Sequence, residues 1–505
     1  MDIVKETRES SPVERLLAAM AARASEYRLP FCAALVSGLL AHGFAFANKL
    51  LNADEVASLF SKGGGVDVGR WAIGLTSLLF PDISMPWIYG ILSLLLFAVC
   101  ACLTVRIFEI RSRSVQAVLA AGLLAFPALT ALYCYMFTST AYALALLLAV
   151  LSVLCGCREG WKWQALGCLL LTFSLGIYQA YVAVAASYYV LLMIQKLLRG
   201  EDAKAVFLFG VKAFLRLLIS LAVYYLISRV ALRISGAQYV NYGVERRSVF
   251  YQLALAYNAF FKAFSAGYFG FVSGKLSTVL HILLLAYLAV VFIGWLLHGR
   301  ERLLSALLLL VCLILLPLSM NCVFLAADVE VIHTVVLYSF SSFYILAAIA
   351  TEALDGKAAL RGRDLLLVSL LVISLSNVYL ANKTYLKQYI QYQNAQAFYT
   401  SVITQVKQTE GFGPDTKLAI MGQTKNAVYL PEELDVGYLA GPNDDLLNFY
   451  TRNSFIRTYV GFNVPFASAA EKRKLRKDER FQEMPEYPYY GSVQKIDGFI
   501  VVKLS

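Results

Sequence analysis

Asn52-Ala53-Asp54-Glu55 follows the first long apolar run of the chain, and Gly69-Arg70-Trp71 lies a short way beyond it. Two adjacent carboxylates can accept a proton from a hydroxyl, and a guanidinium can hold a phosphate through paired hydrogen bonds. Arg246-Arg247 adds two more guanidinium groups much later in the chain. Such groups work together only if they share one side of whatever holds them, so the surrounding elements decide what they face.

Those elements belong to a membrane. The chain has 505 residues, of which 59% are hydrophobic and 15% charged, and its mean hydropathy is +0.64. This composition defines a polytopic α-helical membrane protein rather than a soluble domain. The net charge of +11 does not point to nucleic acid. Lys and Arg sit in short loops between apolar runs, as topology signals do, and form no basic face with interleaved aromatics. The nine cysteines all lie in or beside apolar runs. Cys100-x-Cys102 and Cys155-x-Cys157 lack the spacing and partners of a zinc site and read as small hydrophobes. No phosphate-binding loop, dinucleotide turn, His-Glu-x-x-His or Gly-x-Ser-x-Gly occurs, which removes the support for an ATP-driven machine or a zinc protease.

Residues 1–28 are polar and basic, without a cleavable leader, and are expected to stay in the cytoplasm. About 20 apolar residues cross a bilayer. On that measure the sequence predicts about 11 spans, near 29–51, 85–107, 114–133, 136–156, 164–177, 180–198, 212–232, 277–297, 303–321, 334–352 and 364–382. Alternation then places Arg106/Arg111/Arg113, Arg158/Lys162, Lys196/Arg199/Lys204, Arg300/Arg302 and Lys357/Arg361/Arg363 on the cytoplasmic side. The short outer connections near 134–135, 178–179 and 322–333 carry no Lys or Arg, so every short loop obeys the positive-inside bias.

Residues 29–382 thus form a transmembrane domain with two longer external loops, 52–84 and 233–276. In the first, Val68, Trp71, Ala72, Leu75, Leu78 and Leu79 recur with helical spacing, which predicts a short interfacial helix ended by Pro81. Phe250 to Phe264 suits a second. Residues 383–505 are polar and rich in Tyr, with turn signals at Gly411-Phe412-Gly413-Pro414 and Gly441-Pro442. Runs such as Leu418–Met421 and Phe499–Val502 predict strands, hence a small external α/β domain.

An acidic pair beside an interfacial Arg suits a reaction between a lipid-embedded substrate and one arriving from outside. A sugar hydroxyl is a poor nucleophile until a carboxylate accepts its proton. A lipid-linked phosphate leaving group calls for Arg or Lys. Asp54 or Glu55 supplies the first need, and Arg70, Arg246 and Arg247 the second. A monophosphate donor has little need of a divalent ion, so neither metal nor cofactor is expected. Each residue also has a plain reading. Asp54 and Glu55 suit a helix cap, Arg70 a snorkelling anchor, Arg246 and Arg247 headgroup contacts, and Tyr178 and Gln179 an interfacial belt. His333 sits at the external edge, and His42 within the first span. The rival function is a flippase or transporter of a lipid-linked sugar. Against it, the spans show no paired Gly/Pro-broken helices in matching halves.

The order of motifs resembles the bacterial glucosyltransferase II-like family of the GT-C superfamily, which includes O-antigen glucosyltransferases. The matching pieces are Asn52-Ala53-Asp54-Glu55, Gly69-Arg70-Trp71, Thr138-x-x-Ala141-Tyr142 and Ser174-Leu175-Gly176-Ile177-Tyr178-Gln179. The resemblance implies a GT-C-like fold in a bacterial cytoplasmic (inner) membrane, with the C-terminal domain periplasmic or extracellular. It implies inverting transfer of glucose from an undecaprenyl-phosphate-glucose-like donor to a cell-surface glycan, working with a donor synthase and a flippase. By position Asp54 is the catalytic carboxylate. Asn52, Tyr178, Gln179 and His333 are candidate substrate-binding residues. Family members often carry Asp-Asp, so Glu55 is a departure that keeps both carboxylates open as the base. His333 stands where a basic residue is expected before the tenth span.

Overall fold

The computed structural model describes residues 11, 25–240, 248–265, 274–298, 303–325, 332–424, 430–437, 439 and 446–504. Within them the protein is a helical bundle joined to a small mixed domain. The helices are α1 (Arg28–Ala47), α2 (Ala53–Ala57), α3 (Pro86–Ile107), α4 (Arg113–Leu124), α5 (Pro127–Tyr133), α6 (Ser139–Gly156), α7 (Trp161–Ile177), α8 (Val182–Leu198), α9 (Ala203–Ser235), α10 (Val249–Ser265), α11 (Lys275–His298), α12 (Leu303–Met320), α13 (Ser342–Glu352) and α14 (Gly356–Gln408). Then come strand β1 (Lys417–Met421), helices α15 (Arg452–Thr458), α16 (Ala469–Leu475) and α17 (Glu479–Glu483), and strands β2 (Val493–Ile496) and β3 (Phe499–Lys503).

Among the described residues, nine helices are long and apolar enough to cross a membrane. Two of the eleven expected spans fall short of that measure. At the fifth, α7 has 17 residues. The tenth, expected over 334–352, is two 3-10 turns, Thr334–Val336 and Tyr338–Ser341, leading into the 11-residue α13. The 11-residue helix alone is shorter than a hydrocarbon core about 30 Å thick, and the turns before it complete the path from His333, near Asp54, to Glu352, bonded to Ser112 at the basic end. The bundle centre is built by α1 against α3 and α4, α3 against α6, and α6 against α7. His42 ties three of its helices together. Its Nδ1 pairs with the Tyr385 hydroxyl at 2.7 Å and its Nε2 with the Leu124 carbonyl at 2.9 Å. A polar group inside a bundle is tolerated when satisfied in this way. Basic connections meet at one end, where Arg199 pairs with Glu109 at 2.7 Å and the Ser112 N–H donates to Glu352 at 3.0 Å.

The expected helix over 68–79 does not form. Val66–Val68 and Gly74–Leu78 are separate 3-10 turns. Gly69 stands between them at φ +78, a left-handed conformation that ends a helix. The periodic residues consequently do not share a face, since Ala72 is buried while Leu78 is 85% exposed. The helix expected from Phe250 to Phe264 is present as α10.

Strands were expected at 418–421 and 499–502, and both are found. β1 pairs in parallel with β3, which also pairs antiparallel with β2, in the order β1-β3-β2. The expected boundary at 382/383 falls inside a helix. α14 runs unbroken for 53 residues, roughly 80 Å at 1.5 Å per residue. Leu366, Leu370 and Ile373 pack into the bundle core, whereas Ala395, Tyr399, Val402 and Ile403 pack into the core of the C-terminal domain. The expected turn at Gly441-Pro442 lies outside the described residues.

Candidate active site

Asn52 starts the site. Its side-chain oxygen accepts the Glu55 N–H at 2.7 Å and caps α2, while its amide donates to the Cys134 carbonyl at 2.8 Å. The cap fixes where α2 begins, and the second bond fastens it to the turn between α5 and α6. Adjacent residues of one turn point in different directions, and this separates the two carboxylates. Glu55 is 0% exposed. One of its oxygens accepts from the Lys49 ammonium and the Ser84 hydroxyl, and the other accepts the Phe137 N–H at 3.3 Å. Lys49 also donates to the Ser84 hydroxyl at 2.8 Å. Asp54 instead faces outward and is exposed.

Arg70 and His333 lie within electrostatic reach of Asp54. Partial burial raises the Asp54 pKa above the ordinary carboxylate value, and the charges of Arg70 and His333 pull it back. Burial likewise lowers the pKa of His333, against the pull of Asp54. A carboxylate with a raised pKa is a stronger base than a free one. The Arg70 guanidinium lies 5.7 Å from the Tyr142 ring centroid and 5.6 Å from that of Tyr178, within range of a cation–π contact. The two rings stack at 3.8 Å, and near-equal distances to both place Arg70 at the side of the stacked pair.

The backbone beneath Arg70 is clamped. Gln179 donates to the Val68 carbonyl at 2.8 Å and to the Tyr224 hydroxyl at 3.0 Å. Tyr224 in turn donates to the Gly69 carbonyl at 3.1 Å. The Ala72 N–H donates to the Gly176 carbonyl at 2.8 Å. A Cβ on Gly69 would lie 2.6 Å from the Tyr224 oxygen and 2.9 Å from the Gln179 nitrogen, in addition to its positive φ. Gly69→Ala is therefore expected to destabilise the protein by about 1–2 kcal/mol and to lower activity through Arg70. Gly74→Ala, at an exposed position in a 3-10 turn where a Cβ would meet nothing within 4 Å, serves as the control in a thermal-unfolding comparison. An unaltered unfolding temperature for Gly69→Ala would disprove the clamp.

The structure thus brings together Asn52, Asp54, Arg70, Tyr178, Gln179 and His333. Asn52 and Gln179 spend their side chains on the protein itself, as cap and clamp. Tyr178 stands in the stacked pair beside Arg70. Arg246 and Arg247 lie outside the described residues, as do Arg300 and Arg302. Sequence reading passed over Lys49, Ser84 and Tyr224. Lys49 had a signal, being a cation at the end of an apolar run just before the acidic turn. Ser84 and Tyr224 had none, because only folding brings them near.

A bundle of apolar helices that sets an accessible carboxylate and a guanidinium side by side at one end has the outline of a membrane-bound group-transfer enzyme. Residues 43–351 match the family described as Glucosyl transferase GtrII, and the chain belongs to it. It is a glycosyltransferase. No curated protein and no solved structure gives a match.

Proposed function

We propose that this protein moves a glucosyl group from a polyprenyl-phosphate donor to a cell-surface glycan on the external face of a bacterial cytoplasmic membrane. The observation that carries the reading is that Asp54 lies within electrostatic reach of Arg70 and His333, at the end of the bundle opposite the basic loops. A monophosphate donor bound there presents its phosphate to Arg70 and its anomeric carbon to the acceptor. Asp54 takes the proton of the acceptor hydroxyl as that oxygen attacks the anomeric carbon. The bond from that carbon to the phosphate oxygen breaks, and its electron pair leaves on the phosphate, where Arg70 meets the charge. One displacement inverts the anomeric configuration. Glu55, engaged by three donors, holds the turn and leaves the proton to Asp54.

The test uses the purified full-length protein in lipid with polyprenyl-phosphate-[14C]glucose and an acceptor glycan. Transfer of label with inverted configuration is the expected result. Movement of the donor across proteoliposomes without transfer would replace this reading by the flippase.

A further inference from the structure

The family match ends at residue 351, yet the acidic turn is built into the domain beyond it. A five-residue helix such as α2 has no stability of its own and must take its position from its surroundings. Two of its supports lie in the bundle: the Asn52 cap and the engagement of Glu55 by Lys49, Ser84 and Phe137. The third is the C-terminal domain. Leu51 and Val56, 1% and 4% exposed, belong to its apolar core together with Tyr399, Ile403, Phe455 and Ile456. Tyr459, at the end of α15, packs on the same core. Across the site a second apolar cluster joins Val436 and Leu439 to Ala131, Leu380 and Val335. Val335 belongs to the turn that follows His333. The domain therefore grips the acidic turn on one side and the His333 turn on the other.

We infer that the C-terminal domain is a working part of the active site, in which Val56 and the Lys49–Glu55 pair are positioning residues that set the direction of Asp54. This rests on Asp54 as the base. It differs from a domain that only docks the acceptor glycan, because a docking domain acts on acceptor affinity and a positioning domain acts on turnover.

The test compares four variants of the full-length protein in lipid, with steady-state kinetics for donor and acceptor and an unfolding curve for each. Val56→Ala, which cuts the contact between the acidic turn and the domain core, is expected to lower kcat about tenfold, since a small misplacement of a reacting group is enough to do so. Both KM values should stay unchanged, and the unfolding curve shows that the protein is folded at the assay temperature. Glu55→Gln and Lys49→Met are each expected to lower kcat strongly, Lys49→Met by leaving the fully buried Glu55 carboxylate without its cation and Glu55→Gln by leaving the half-buried Lys49 ammonium without its carboxylate. The double variant Lys49→Met/Glu55→Gln is expected to exceed Glu55→Gln, because it removes both charges. A raised acceptor KM with unchanged kcat in Val56→Ala, or no change in either, would overturn the inference. So would a double variant no better than Glu55→Gln, the outcome required if Glu55 were itself the base. Retained activity in Asp54→Asn would instead remove the assignment of the base, and the Val56 and double-variant results would report on another group.

Discussion

Asp54→Asn is expected to lower kcat by roughly 10²–10⁴-fold, the usual contribution of a general base, while the amount of folded protein stays the same. Asn has nearly the same shape as Asp and cannot accept the proton. Because the Asp54 side chain is exposed and supports no buried network, little stability depends on it. Glu55 makes the informative contrast, since its removal disturbs Lys49, Ser84 and the Phe137 N–H together. A transfer assay paired with size-exclusion chromatography reads both quantities. Near-normal kcat in Asp54→Asn would remove the proton-transfer role assigned to it.

Arg70→Gln is expected to cost about 10²-fold in kcat, the loss typical of removing one donor aimed at developing charge. It also carries a signature in pH. The base works as a carboxylate, so activity is present above the Asp54 pKa and falls as pH drops through it. Burial raises that pKa above 3.8, and Arg70 and His333 oppose the rise. Removing Arg70 deletes one of the two opposing charges, so the acidic limb of the profile should move to higher pH. A limb that stays in place, or moves down, would show that Arg70 does not act on Asp54. Glu55 and Lys49, the other charges beside this turn, are already paired with each other and are unchanged in this variant.

Much of the architecture follows from patterns that need no partner. A run of about 20 apolar residues commits a segment to the membrane by its own transfer free energy. The positions of most spans and the two strands are therefore legible residue by residue. Where the sequence reading missed, local pattern met a tertiary constraint. Helical spacing over Val68–Leu79 was real, but Gly69 at φ +78 broke it to fit the Gln179–Tyr224 clamp. The polar shift near residue 383 was real as well, yet α14 continues through it, because one buried stripe of a long helix can serve two successive cores along its length.

The sequence by itself determined a polytopic helical membrane protein with a carboxylate pair and an Arg in its first long loop, since composition and spacing are properties of the chain alone. It could not tell Asp54 from Glu55, whose side chains differ by one methylene. Only the tertiary structure separated them. A single helical turn sends neighbouring residues in different directions, and the bundle meets Glu55 with Lys49, Ser84 and a backbone N–H while leaving Asp54 open beside Arg70 and His333. Burial and ion pairing depend on which distant segments arrive, and that is decided by packing.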